Sequence, residues 1–206
     1  MGRPRDVDST ETRNTLLEVA RRCFAKEGYG ATTNRSIAAE VGITTGAIYH
    51  YFPSKAELFA AVYAQVQNTV YDRFEEAVAA PGTLTERFGV ALRAAVELNR
   101  NDSSLSGFVV AVPTELQRHP ELIELIKPIR NRSTMFIGRL VADAVANGEF
   151  VDGVEPKAVE DLLAAVISGL AMFSTVTGDE DRHAAAVRAL QRFLDGDLVK
   201  RSRSPG

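Results

Sequence analysis

The chain contains one cysteine, Cys23, in 206 residues. No disulfide can form within it, which suits a reducing compartment. Arg22 and Lys26 lie nearby, yet the helical context makes Cys23 a half-buried helix residue rather than a redox thiol. Histidine is also scarce: His50, His119 and His183 stand far apart. No HExxH, zinc-spaced cysteine set or Walker loop occurs, and "GYGATT" at Gly28 lacks the preceding strand and third glycine of a dinucleotide fingerprint. No metal or cofactor is expected, and the chain reads as a non-enzyme. The start "MGRPRDVDST" has no apolar core of a signal peptide. No apolar run reaches about 18 residues, so no membrane span or membrane partner is expected and the location reads as cytoplasmic. Without secretion, the glycosylation patterns at Asn34, Asn101 and Asn131 carry no meaning.

What is present is ordinary in bulk: 45 % apolar, 25 % charged, net charge −3. The distribution says more. Residues 1–55 carry eight Lys/Arg against six Asp/Glu, whereas the remainder carries sixteen against twenty-one. A mildly basic first quarter on an acidic body fits an N-terminal nucleic-acid module.

Apolar residues recur at helical spacing almost throughout, with no strand pattern, so the expected fold is all-α with about nine helices. Leu16, Leu17, Ala20, Phe24 and Tyr29 stripe the first, opened by Asp8 or Thr10 and stopped at Gly28. The second spans Thr33–Val41 and the third Thr44–Tyr51. Ser54 and Glu57 form a capping box for a fourth, to Ala80, and Thr83 with Glu86 form another for a fifth, to Asn99. The next three run from Asp102 to Gln117, from Pro120 to Asn147, and from Pro156 to Gly178. Asp179 caps the ninth, which ends near Asp195. Pro113 and Pro128 fall inside helical patterns and should kink or break them. The expected domains are a DNA-binding module at 1–55, a helical body at 56–197, and a disordered tail at 198–206. The boundary falls within the fourth helix, near Glu57 to Tyr63.

"NRSIAAEVGITTGAIYHYFP", Asn34 to Pro53, meets the demands of a helix–turn–helix. Ala38 is small where two short helices cross, Gly42 tolerates the turn, and Ile48 anchors the second helix beside Ile37, Val41 and Ile43. In this geometry the third helix enters the major groove. Of Thr44 and Thr45, one caps and one is free to reach phosphate or a base edge. Gly46 costs about 1 kcal/mol of helix propensity against alanine, which argues either for close approach to DNA or for tight packing. "ITTGAIYHYF" holds no Lys or Arg, so charge must come from neighbours. Thr33 caps the second helix. Arg35 lies in that helix's first turn, where a cation opposes the dipole unless it meets an anion. Lys55 opens the fourth helix, where free N–H groups favour phosphate. Arg3 and Arg5, in "GRPR", resemble a minor-groove arm, with a disordered tail as the other reading.

"GYGATTNRSIAAEVGITTGAIYHYFPSKAELF", Gly28 to Phe59, resembles the TetR family of bacterial transcriptional regulators. The Gly-Tyr after helix one, the Thr-Thr pair, "IAAEVGI", "GAIYHYF" and the "SKAEL" cap occur in order. The resemblance implies a homodimeric repressor of a palindromic double-stranded operator, released by a small-molecule effector bound in the C-terminal body. It also implies that Tyr49 donates its hydroxyl to a phosphate and that His50 touches the backbone. Tyr51 stands where the family often has histidine.

The kinked helices point to an effector cavity lined by Tyr63, Gln67, Phe88, Leu92, Phe108, Val112, Met135, Phe136 and Met172, although each also fits plain core. Few charges fall at these positions, so a largely apolar effector is expected. Glu115, close after Pro113, reads as a solvated helix face, with orientation of a polar ligand group as the other reading. The eighth helix is apolar on most faces. Leu162, Val166, Gly169, Leu170 and Phe173 on it, with Val187, Leu190, Phe193 and Leu194 on the ninth, form matching faces for a four-helix dimer interface of the kind the family suggests. Two alternatives remain: a ligand-binding protein without specific DNA affinity, and an all-helical enzyme.

Overall fold

The structure, a computed structural model, describes residues 5–129 and 131–199, with side chains from Thr10 onward except Asn131. Among the described residues there are ten α-helices and no strand: α1 Arg5–Ala31, α2 Asn34–Val41, α3 Thr45–Tyr51, α4 Lys55–Ala77, α5 Leu84–Asn101, α6 Ser104–Arg118, α7 Glu121–Ile126, α8 Asn131–Ala146, α9 Pro156–Thr177 and α10 Glu180–Leu194. The tenth comes from the segment expected as one helix from Pro120 to Asn147. It breaks between Ile126 and Asn131, where Pro128 removes a donor and its ring obstructs the preceding turn. Pro113 lies within α6 without ending it.

Several capping signals act as their chemistry requires. Thr83 and Glu86 make both halves of a capping box, at 3.3 and 2.8 Å. Asp179 Oδ1 accepts from the Arg182 N–H at 3.0 Å. Ser54 Oγ accepts from the Glu57 N–H at 3.1 Å, but that box is half-made: Glu57 Oε2 is buried without a partner. Helix α1 begins at Arg5, ahead of the expected cap at Asp8 or Thr10. Its helical geometry breaks at Gly28, with φ of 80°. A side chain there would be strained, and its Cβ would lie 2.7 Å from Glu115 Oε1.

The helices group into two compact units that divide α4 between Thr69 and Val70. The first also takes in Asp102–Arg132, so α6 and α7 pack with the N-terminal helices. Its core joins Leu16, Ala20 and Phe24 of α1 to Ile37, Ile48, Leu58, Phe59, Phe108, Leu122 and Ile126. Each such side chain contributes about 1.5–3 kcal/mol through burial. Phe59 meets Phe24 edge-on at 5.2 Å and Phe108 at 5.1 Å between ring centroids. Buried Arg21 fixes α1 to the start of α6, with Nε donating to Ser104 Oγ at 2.9 Å and Nη2 bonded to Asp102.

The second unit packs Phe74 of α4, Phe88 and Leu92 of α5, Phe136, Leu140 and Val141 of α8, Leu163 of α9 and Val187 of α10. Gln191 Nε2 donates to the Gly89 carbonyl at 2.8 Å, fixing α10 on α5. Helix α9 is long and apolar enough to cross a membrane by length and composition, although no such segment was expected. Its Val166, Ile167 and Leu170 pack against this core.

Candidate nucleic-acid interface

Thr33 opens α2 with a reciprocal cap. Its Oγ1 accepts from the Ser36 N–H at 3.0 Å, and its own N–H donates to Ser36 Oγ at 3.2 Å. Helix α2 ends at Gly42, left-handed at φ 80°, where the N–H groups of Gly42 and Ile43 both reach the Ala38 carbonyl at 3.0 Å. Buried Ile37 and Ala38 face the core with Ile48 of α3, while Val41 and Ile43 are half-buried. Two short helices are thereby locked at a tight corner, a helix–turn–helix.

The start of α3 separates the two threonines. Thr44 Oγ1 accepts from the Ala47 N–H at 3.2 Å and is the cap. The Thr45 hydroxyl has no hydrogen bond among the described residues. A methyl group on Gly46 would meet only Thr44 Oγ1, at 3.8 Å, so close packing within the chain does not account for the glycine. Tyr49 is 53 % exposed, and its hydroxyl makes no hydrogen bond among the described residues. His50 is exposed beside the Tyr51 ring, at 5.7 Å between centroids. Arg35 projects from α2 with no carboxylate partner among the described residues. Thr33, Arg35, Thr44, Thr45, Gly46, Tyr49 and His50 are thus exposed or half-exposed. Together they offer hydroxyls, one cation and a close backbone approach without a competing anion.

Lys55 has another task. Its ammonium donates to the Tyr29 carbonyl at 2.7 Å and the Thr32 carbonyl at 2.9 Å, and lies 4.2 Å from the Tyr29 ring centroid. Burial lowers its pKa from the usual lysine value, against the opposing fields of Glu115 and Glu121. The cation closes the end of α1 with two of its three donors. Arg3 lies outside the described residues. Arg5 begins α1, and its side chain is likewise outside the described set.

Cys23 is buried beside Glu40, and burial pushes its thiol up to about 11, away from the thiolate that redox chemistry needs. Glu115, expected on a solvated face, is buried: Oε1 lies against Gly28 and Oε2 is 3.8 Å from His119 Nε2. The cavity candidates divide between the units. Tyr63, Gln67, Phe108 and Val112 are buried in the first, Phe88, Leu92 and Phe136 in the second. Met135 and Met172 are exposed instead. A depression of about 360 Å³ in the second unit, near Gly82, Arg87 and Gln191, shares none of these residues.

The interface candidates are also re-sorted. Val187 is core, and Val166 and Leu170 turn inward. Phe173 is half-buried under the Arg182 guanidinium, 5.6 Å from its centroid. Leu162 and Gly169 face outward with Ala165, Met172 and Val176, an exposed stripe at helical spacing that the sequence reading had not assembled. On α10, Leu190 is half-buried while Phe193 and Leu194 are exposed.

A helix–turn–helix whose second helix presents an open, anion-free face defines a DNA-binding protein. Residues 16–62 match the bacterial regulatory proteins of the tetR family, and residues 84–199 match the BetI-type transcriptional repressor, C-terminal. The chain belongs to the TetR family of bacterial transcriptional regulators. It is 24 % identical over 193 residues to the HTH-type transcriptional regulator UidR of Escherichia coli K12, covering 94 % of this chain and 96 % of UidR. Its fold is similar to FadR from Bacillus subtilis, solved in complex with stearoyl-CoA. The TM-score is 0.77 at 18 % identity, covering 90 % of this chain and 99 % of FadR. Salmonella enterica GusR has a TM-score of 0.66 at 26 % identity, covering 91 % and 95 %.

Proposed function

We propose that the protein is a cytoplasmic homodimer that places two α3 recognition helices in successive major grooves of a palindromic operator and leaves it when an apolar small molecule binds the body. The open face of α3 carries this reading. Among the described residues the Thr45 and Tyr49 hydroxyls make no hydrogen bond and Gly46 is exposed, although α3 is otherwise held by Ile48 and the Thr44 cap. Thr45 reads a base edge, Tyr49 and His50 hold phosphates, and Arg35 supplies charge at the start of α2. Two-fold symmetry sets half-sites one helical turn apart, about 34–36 Å or a little more.

The dimer reading rests on α9, of whose most apolar stretch only 11 % is buried. The stripe Leu162, Ala165, Gly169, Met172 and Val176, with Phe193 and Leu194 of α10, supplies a self-complementary face for a four-helix contact. The glycine and alanine in that stripe let two α9 helices approach closely. The buried apolar side chains of the body favour an effector with a large apolar part, and the stearoyl-CoA solved with FadR carries such a part in its acyl chain. Such a molecule acts by binding one dimer state more tightly than the other.

Mobility-shift titration on DNA upstream of its own gene tests the reading, with native mass spectrometry of the purified dimer to identify any molecule carried in the body. The expected outcome is salt-sensitive dimer binding that the carried molecule weakens. Ligand affinity without DNA affinity would favour a sequestering protein instead.

A further inference from the structure

Six lysines and arginines lie between Arg13 and Lys55. Three are engaged inside the first unit: Arg21 with Asp102 and Ser104, Arg22 with Glu40 at 3.0 Å, and Lys55 with two carbonyls. Arg13, Lys26 and Arg35 are exposed and have no carboxylate partner among the described residues. Arg35 already belongs to the DNA-binding reading, and Arg13 differs from Lys26 in where it is held.

The Arg13 guanidinium carbon stands 5.1 Å from the centroid of the Phe52 ring. Phe52 closes α3: its N–H donates to the Ile48 carbonyl at 2.9 Å, and its ring is buried beneath the guanidinium. A guanidinium held over a ring uses its charge for that contact and keeps N–H donors for an external anion. The contact also restricts the side chain, so less freedom is lost when an anion binds. Lys26 lies thirteen residues further along α1, about 20 Å away along the helix axis. It follows Ala25, whose Cβ abuts Gly107 of α6. One end of α1 thus meets the end of α3 and the other meets α6 of the same unit.

We propose that Arg13 is a phosphate-contacting residue of the DNA interface, its guanidinium planted on the Phe52 ring at the end of the recognition helix. The assignment rests on the DNA-binding reading above. It explains how a recognition helix without Lys or Arg gains a fixed positive charge at its C-terminal end while Lys55 is engaged elsewhere. The planar donor fork suits two oxygens of one phosphate, and the contact carries no base information, so it strengthens binding to every sequence alike.

The test is the salt dependence of binding to a mixed-sequence duplex and to DNA upstream of the gene, for wild type, Arg13→Gln, Arg13→Lys and Lys26→Gln. Each lost phosphate contact lowers the slope of log K against log salt by about 0.9. Arg13→Gln is expected to flatten the slope by about that amount per subunit, while Arg13→Lys and Lys26→Gln keep the wild-type slope. Arg13→Ala, equally neutral, repeats the measurement should the glutamine variant melt early. A neutral Arg13 variant with an unchanged slope, even with weaker binding, overturns the assignment and leaves Arg13 a packing residue. Wild type without affinity for any duplex would defeat the DNA-binding reading itself.

Discussion

Lys55 Nζ donates to the Tyr29 carbonyl oxygen at 2.7 Å while lying over the same residue's ring. One side chain at the start of α4 thereby closes the end of α1, immediately before the helix–turn–helix. Removing the ammonium leaves the Tyr29 and Thr32 carbonyls short of a charged donor. Lys55→Met should lower stability by about 1–3 kcal/mol. It should leave the salt slope of DNA binding close to that of wild type. Chemical denaturation and a salt titration check both halves. A normal stability with a flattened slope would return Lys55 to the phosphate-binding set.

Thr45 and Tyr49 should fail in different ways. Thr45→Ala removes a hydroxyl with no hydrogen bond among the described residues, and on the proposed reading should cost about 1–3 kcal/mol on one base pair while sparing DNA altered there. Tyr49→Phe should weaken every sequence alike, by about 0.5–1.5 kcal/mol. Binding to a panel of single-base operator variants separates the two. Equal loss on every sequence from both changes would contradict the division between base reading and backbone holding.

The outward stripe of α9 predicts the oligomeric state. A charge placed there by Val176→Lys or Leu162→Glu would be buried unpaired on dimerisation. That costs about 3–5 kcal/mol, more than a hundredfold in dissociation constant. Sedimentation velocity should show wild-type dimer and variant monomer. The same change at exposed Met135 on α8, which is outside this stripe, should leave the dimer intact.

His183 gives the second unit a pH dependence. Burial, followed by the field of Arg100, lowers its pKa below the usual 6.5, and its buried Nδ1 has no hydrogen-bond partner among the described residues. The unfolded chain therefore takes up a proton that the folded chain resists. The stability at stake is fully present above pH 6.5 and is lost as pH falls through the folded value. Thermal unfolding followed from about pH 7.5 down to 5 should show this loss in wild type and much less of it in His183→Leu. An identical pH profile in the two proteins would contradict it.

The helix–turn–helix was legible because its constraints are local. A small residue at the crossing, a glycine at the turn and threonine caps act within a few residues of themselves, and Thr33, Gly42, Thr44 and Ile48 stand where their chemistry put them. The carbonyl contacts of Lys55 were not legible because they lie 23 and 26 residues away, and sequence does not show backbone oxygens converging. Glu115 was misread for the same reason: its neighbour is Gly28, whose missing side chain makes the room. On α9 the apolar excess was plain, but its division into an inward and an outward stripe needed the packing partners. Met172 consequently moved from the cavity set to the exposed face. Arg13 left a trace only in hindsight, since nothing in the sequence ties it to Phe52, 39 positions on.

The central claim is that a dimer reads DNA through the open face of α3 and releases it on binding an apolar molecule. Fluorescence anisotropy with a labelled duplex from upstream of the gene tests it most directly, run with the purified dimer before and after stripping of its bound molecule. The account predicts one dimer per duplex, loss of binding with rising salt, and tighter binding by the stripped protein. Equal affinity in both forms, or binding by a monomer alone, would contradict it.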